Sequence, residues 1–245
     1  MHRNTTSGNL KTPLFWIAEQ VFAEDFPDVD QALREPDGLL AIGGDLHPAR
    51  LLDAYRKGIF PWFNPGEPVL WWSPDPRCVL RPADIHISTS LRKLLRRQQY
   101  QVTFNLAFDQ VIRLCARPRA DRQGTWISEQ MIVAYQALHR LGQAVSVECW
   151  HQNELVGGLY GVVIGKVYFG ESMFSHKPNA SKLCLVHLAR HLAQKGFPLI
   201  DCQVYSAHLA SLGATRIPRK EFINLLARYC AEPCIPDWPA ESIWL

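Results

Sequence analysis

The sequence predicts an α+β fold, built as a small N-terminal domain followed by a larger mixed one. Two observations predict the class. From Val145 to Phe174 the apolar period is two, broken at Gln152–Glu154 and at Gly165–Lys166, as in a three-stranded antiparallel meander. Helical periods flank that stretch, and a further strand, Leu199–Val204, follows the second helix. A third observation divides the chain: Ser73-Pro74-Asp75-Pro76 closes a segment rich in proline, glycine and aromatic rings.

Taken in order, residues 1–14 are polar and read as a flexible tail. The N-terminal domain is expected over 15–75 and the larger domain over 76–245. Pro48 suits the first turn of a helix running toward Lys57, and Gly58 can end it. From Phe60 to Arg77 there are five prolines and five aromatic rings, so an aromatic loop without regular structure is expected, either packed or used as a binding platform. Leu91, Leu94 and Leu95 mark a short helix whose other face carries Arg92, Lys93, Arg96 and Arg97. Phe108, Val111, Ile112 and Cys115 mark another, ended by Pro118. Ser128 can cap a third that reaches Leu141, with Gly142 past its end. After the meander, Ala180–Lys195 is helical and stops at Gly196, and short helices are expected around Leu209 and Phe222.

Composition excludes several classes. An apolar fraction of 47% with 20% charged residues is that of a globular protein. No run approaches the ~20 apolar residues that span a bilayer, and none has the flanks of a secretory signal, so no membrane association and a cytoplasmic location are expected. A monomer is the default expectation. The seven cysteines are odd in number and scattered; Cys230 and Cys234 share a CxxxC spacing without a second pair, so reduced thiols are expected. His187 and His191 lie four apart but lack a third ligand nearby, and no metal is expected. The net charge is only +3, yet residues 15–54 hold nine acidic and two basic side chains, and residues 77–122 ten basic and three acidic. Such an asymmetry suits partners of opposite charge, unless the surfaces interleave on folding.

No P-loop, dinucleotide, zincin or nucleophile-elbow signature occurs. The order of helices, meander, helix and strand is that of the GNAT acetyltransferases, among other α+β folds. No Arg or Gln is followed three residues later by Gly, so the [RQ]xxG loop expected of an acetyl-CoA site is missing. Two segments remain, GESMF (170–174) and LIDCQV (199–204). In a regular strand Asp201 and Gln203 share a face, and Glu171 is expected at the exit of a neighbouring strand. A carboxylate and an amide among apolar residues need a polar task or polar partners; spacing leaves open a functional site or a satisfied structural network. Trp62, Trp71, Trp72 and Trp126 could stack nucleobases or fill a core. The basic helix face, with Arg117, Arg119 and Arg122 nearby in sequence, could hold phosphates.

Seven motifs then carry a resemblance. LREPDGLLAIGGDL (33–46), GIFPWF (58–63), LWWSPDPR (70–77), GTWI (124–127), ELVGGLYG (154–161), GESMF and LIDCQV resemble those of bacterial leucyl/phenylalanyl-tRNA–protein transferases, in the same order, from Leu33 to Pro218. The resemblance implies a GNAT-like catalytic domain that uses neither CoA nor any other cofactor. It implies transfer of Leu or Phe, less readily Met, from aminoacyl-tRNA to proteins beginning with Arg or Lys, which marks them for N-end rule degradation. Trp62 and Trp126 are expected at the 3′-terminal adenosine, and Glu171, Asp201 and Gln203 at the reaction centre. Asp201 is expected to orient or deprotonate the incoming amine, and Glu171 to receive the acceptor's basic group. Tyr135 is a further candidate in the helix after GTWI. Leu159, Tyr168, Met173 and Phe174 are expected at the amino-acid pocket. The family often has Met and Phe where this chain has Leu159 and Tyr168, so side-chain preference is where it departs. Arg92, Lys93, Arg96 and Arg97 are expected on tRNA phosphates. The alternatives are a non-catalytic tRNA-binding module and a CoA-dependent N-acetyltransferase.

Overall fold

The computed structural model describes residues 14–19, 26–117, 126–233, 237–239 and 243–244. Expectations for residues 1–13, for Pro118, Arg119, Arg122 and the start of GTWI, and for Cys234 lie outside the described residues.

The first sheet comprises β1 (Phe15–Ile17), β2 (Leu39–Gly43), β3 (Phe60–Pro61) and β4 (Leu70–Trp72), ordered β1-β2-β4-β3, with helix α1 (Pro48–Arg56) between β2 and β3. Pro48 does open α1, and the His47 side chain caps it by accepting from the Ala49 N–H. The proline-rich segment is more regular than expected, because it holds β3 and β4. Pro61 is tolerated since β3 is an edge strand, where a missing N–H breaks no central ladder. Trp71 is fully buried, its indole N–H donating to the Gly43 carbonyl at 2.9 Å.

The second sheet begins at β5 (Arg77–Leu80). It adds α2 (Thr89–Leu95), β6 (Gln101–Phe104), α3 (Phe108–Cys115), α4 (Glu129–Arg140), β7 (Ala144–His151), β8 (Glu154–Ile164) and β9 (Val167–Ser175). The chain continues through α5 (Ala180–Gln194), β10 (Leu199–Gln203), α6 (Ala207–Ala210), β11 (Thr215–Ile217), α7 (Arg219–Tyr229) and β12 (Ile243–Trp244). The strand order is β11-β5-β10-β9-β8-β7-β6-β12. The expected meander is β7, β8 and β9. Gln152 and Asn153 turn with φ of 52° and 62°, and Gly165 with 54°. Ser88 and Ser128 cap α2 and α4. Helix α7 is longer than the short helix expected around Phe222.

Two apolar layers sandwich this sheet. On one face α5 buries Leu183, Cys184 and Leu188. On the other, Phe108, Tyr135 and Phe222 join Leu40 and Trp71 of the first sheet in one continuous core. Residues 73–76 therefore separate the two sheets, while the core runs across them. Among the described residues no helix is long and apolar enough to cross a membrane.

Two irregularities place polar residues. Strands β9 and β10 pair in parallel over Val167–Phe169 and Leu199–Asp201, after which β9 runs on to Ser175 while β10 continues only to Gln203, paired with β5 alone. Opposite β8 the register shifts so that Glu171 is the extra residue of a bulge. Glu171 therefore lies inside a strand rather than at its exit. Opposite β5 a second bulge falls between Asp201 and Gln203, and Gln203 takes a left-handed φ of 61°.

Candidate active site

Where β9 and β10 part, a cavity of about 550 Å³ opens. It gathers the three residues expected at the reaction centre, Glu171, Asp201 and Gln203, and the four expected at the amino-acid pocket, Leu159, Tyr168, Met173 and Phe174.

Asp201 is fully buried and so is its partner Arg77, the first residue of β5. The Arg77 Nε donates to one carboxylate oxygen at 2.8 Å and Nη2 to the other at 2.7 Å. The guanidinium is held between the rings of Phe60 and Phe222, with its Cζ 4.7 and 4.6 Å from their centroids. Asp201 also accepts the backbone N–H of Gln203 at 2.9 Å. That bond fixes the bulge and the left-handed residue. The carboxylate expected to meet an incoming amine is thus already occupied, and its contacts are those of a positioning residue.

What it positions is the Gln203 side chain, whose amide donates to Glu171 Oε1 at 2.8 Å. Among the described residues Glu171 has no cation beside it. Tyr55 donates to Oε1 at 2.7 Å, Tyr135 donates to Oε2 at 2.8 Å, and the two phenol oxygens touch each other. Three contacts then share two phenol protons while Glu171 is ionised; a protonated carboxyl supplies the third. Burial pushes the Glu171 carboxyl up to about 7, against the opposing pull of the two phenols, with the Asp201 charge adding to the rise. The residue itself is only half-buried because β9 opens onto the cavity there, but its carboxylate faces this inward ring of donors. Tyr55 and Tyr135 are raised well above the ordinary phenol range, chiefly by burial and then by the Glu171 charge, so both remain donors.

Comparison with known proteins identifies the family over most of the chain. The family model described as leucyl/phenylalanyl-tRNA protein transferase matches residues 79–227, and the model for the N-terminal domain of that transferase matches 44–75. Three relatives carry the name leucyl/phenylalanyl-tRNA–protein transferase. The Nitrosomonas europaea protein is 59% identical over 85% of this chain and 88% of its own. The Chromohalobacter salexigens protein is 60% identical over 88% and 84%, and the Pseudomonas aeruginosa protein 56% over 91% and 98%. The chain belongs to the leucyl/phenylalanyl-tRNA–protein transferase family. It is an aminoacyltransferase by that membership.

Other expected residues of this transferase lie elsewhere. Trp62 is 43% exposed, its ring 5.7 Å from that of Trp72, and neither it nor Trp126 lines the cavity. Arg92, Lys93, Arg96 and Arg97 are exposed on α2 and just beyond it. The sequence reading missed Tyr55 and Arg77. Tyr55 continues the apolar stripe of Leu51 and Ala54, so its pattern signals core alone. Arg77 had one usable signal, a cation opening an apolar strand.

Proposed function

We propose that this transferase moves Leu or Phe, and less readily Met, from aminoacyl-tRNA onto proteins beginning with Arg or Lys, in the cytoplasm, and so marks them for N-end rule degradation. The observation that carries the reading is Glu171: a carboxylate with neutral donors and, among the described residues, no cation, beside an apolar wall, where two parallel strands part. We read the second sheet and its helices as GNAT-like, with this cleft as its reaction site.

An aminoacyl ester is already activated, so the protein has to place a neutral amine against its carbonyl. The amino-acid side chain enters the apolar lobe by Leu159, Tyr168, Met173 and Phe174. The α-amine of the acceptor attacks, the C–N bond forms, and the ester C–O bond breaks as the tRNA 3′ oxygen takes a proton. Glu171, with a pKa of about 7, is matched to accept the proton the amine releases. Gln203 orients it, and Asp201 with Arg77 holds Gln203. Trp62 and Trp126 contact the terminal adenosine, and Arg92, Lys93, Arg96 and Arg97 the phosphates. Neutralising those four should flatten the salt dependence of tRNA binding; an unchanged slope would make them ordinary surface.

The direct test incubates the protein with labelled Leu-tRNA and a protein bearing N-terminal Arg. Label should become acid-stable on that acceptor and not on one with a blocked N-terminus. Tight tRNA binding without transfer would sink the reading.

A further inference from the structure

Among the residues lining the cavity, Tyr160 and Tyr168 carry buried hydroxyls that this mechanism leaves idle, and Tyr168 is the one that shares a sheet face with Leu159 and Met173. Tyr168 pairs with Val163 across β8, and its ring runs along the sheet over the next rung on the same face, Gly161–Gly170. A Cβ on Gly161 would lie 2.6 Å from Tyr168 Cζ and 2.7 Å from Oη, and one on Gly170 would lie 3.9 Å from Cε1. The two glycines therefore form the trough that accepts the ring. The ring's tip lies over Gly161; the following rung on that face is Leu159–Met173, and both of those residues line the cavity together with Tyr168. Tyr168 is 1% exposed, and its hydroxyl has no hydrogen-bond partner among the described residues. Burial, then the nearby Glu171 charge, raises the phenol well above its ordinary range, so the group stays a donor.

A buried hydroxyl without a partner is costly, and a phenylalanine would fill the same trough without that cost. A partner that arrives with the substrate removes the anomaly. We propose that the Tyr168 hydroxyl donates a hydrogen bond to the side chain of the transferred amino acid, and so selects the thioether of methionine over a hydrocarbon of the same shape. The inference rests on the reading of this cavity as the amino-acid pocket. A thioether fits the chemistry of the lobe. Its body is apolar, like the walls from Leu159, Leu185 and Ile200. Its sulfur is a weak acceptor that loses little on leaving water, whereas an amide or carboxylate would bring further polar atoms to bury. Leucine offers the hydroxyl no acceptor at all.

The test charges one tRNA with methionine or with its sulfur-free isostere norleucine. Transfer to a protein with N-terminal Arg is compared for the wild type and Tyr168→Phe, with Leu-tRNA alongside. The wild type should prefer methionine by roughly three- to tenfold in kcat/KM, the range for one modest hydrogen bond. In Tyr168→Phe the methionine-to-norleucine ratio should fall to near one, whatever the absolute rates of the two transfers. A wild-type ratio near one overturns the proposal without any variant, and so does a ratio that the substitution leaves unchanged. Leucine transfer without methionine–norleucine discrimination refutes the role of Tyr168 alone. Absence of all three transfers in the wild type refutes instead the reading of the reaction.

Discussion

Asp201 and Glu171 line the same cavity, yet their surroundings differ in kind. Asp201 faces a guanidinium that engages both its oxygens, and the pair is sealed from solvent. Glu171 faces two phenols and an amide, all neutral, with water reaching it through the cavity. A buried carboxylate clamped through both oxygens by a fixed counter-charge becomes a brace. One held by neutral donors is solvated well enough to ionise but not well enough to stay ionised, so its pKa drifts to neutrality. The first holds a bulge through the Gln203 N–H, and the second has only neutral donors among the described residues.

The largest effect should come from breaking the brace. Arg77→Met leaves Asp201 buried without its partner and should cost about 3–5 kcal/mol of stability. Urea unfolding at pH 7.5 measures it. A loss below about 1 kcal/mol would mean that the fold does not depend on the Arg77 counter-charge, and the contrast would collapse. Asp201→Asn should cut turnover far more than tRNA affinity, because it frees Gln203 and leaves the tRNA contacts intact; an unchanged rate would remove Asp201 from the site.

Glu171→Gln probes the other side, with a sign that depends on pH. Below pH 4.5 both the folded and unfolded wild type hold the proton, and the substitution should be neutral. Between 4.5 and about 7 the unfolded chain gives up its proton first, so the wild type loses stability as pH rises; above 7 the loss is constant. The Gln variant should therefore be more stable at pH 8, by up to about 3 kcal/mol and less as cavity water screens the carboxylate. Its transfer rate should drop by about a hundredfold or more, as for loss of a general base. Equal stability at pH 8 would show a hydrated, unshifted carboxylate.

The contrast also marks what a sequence displays. The meander is legible because strand period and turn residues agree: Gln152, Asn153 and Gly165 all take the left-handed φ their positions need. Helices α2, α4 and α5 are legible from caps and periods. The grouping of Glu171 with Gln203 and Asp201 was suggested by strand spacing and by the family motifs. Their partners were not. Tyr55 meets Glu171 across 116 positions and Arg77 meets Asp201 across 124, and pairings so distant leave no periodic trace. The bulge at Gln203 is hidden too, since no glycine announces its left-handed backbone. Strands β5 and β6 are four residues each, too short for a period of two to stand out beside Pro76 and the helix ends.

Tyr55→Phe should give the smallest and most discriminating result. It removes one donor from Glu171 and the contact with Tyr135, and leaves Tyr135 and Gln203 on the carboxylate. Loss of these two contacts should cost about 1–2 kcal/mol of stability. Tyr55 pulls the Glu171 pKa down, so without it the carboxyl should titrate above 7. The acidic limb of kcat/KM should then move to higher pH, with activity recovering by about pH 8.5 and the KM for tRNA unchanged. A limb that stays in place would mean that Glu171 does not carry the proton. A limb that moves to lower pH would mean that the phenol pair, short of a third proton, is what keeps Glu171 protonated. In that event the neutral donors would themselves hold the proton on the carboxyl, a role the Arg77 guanidinium cannot play for Asp201.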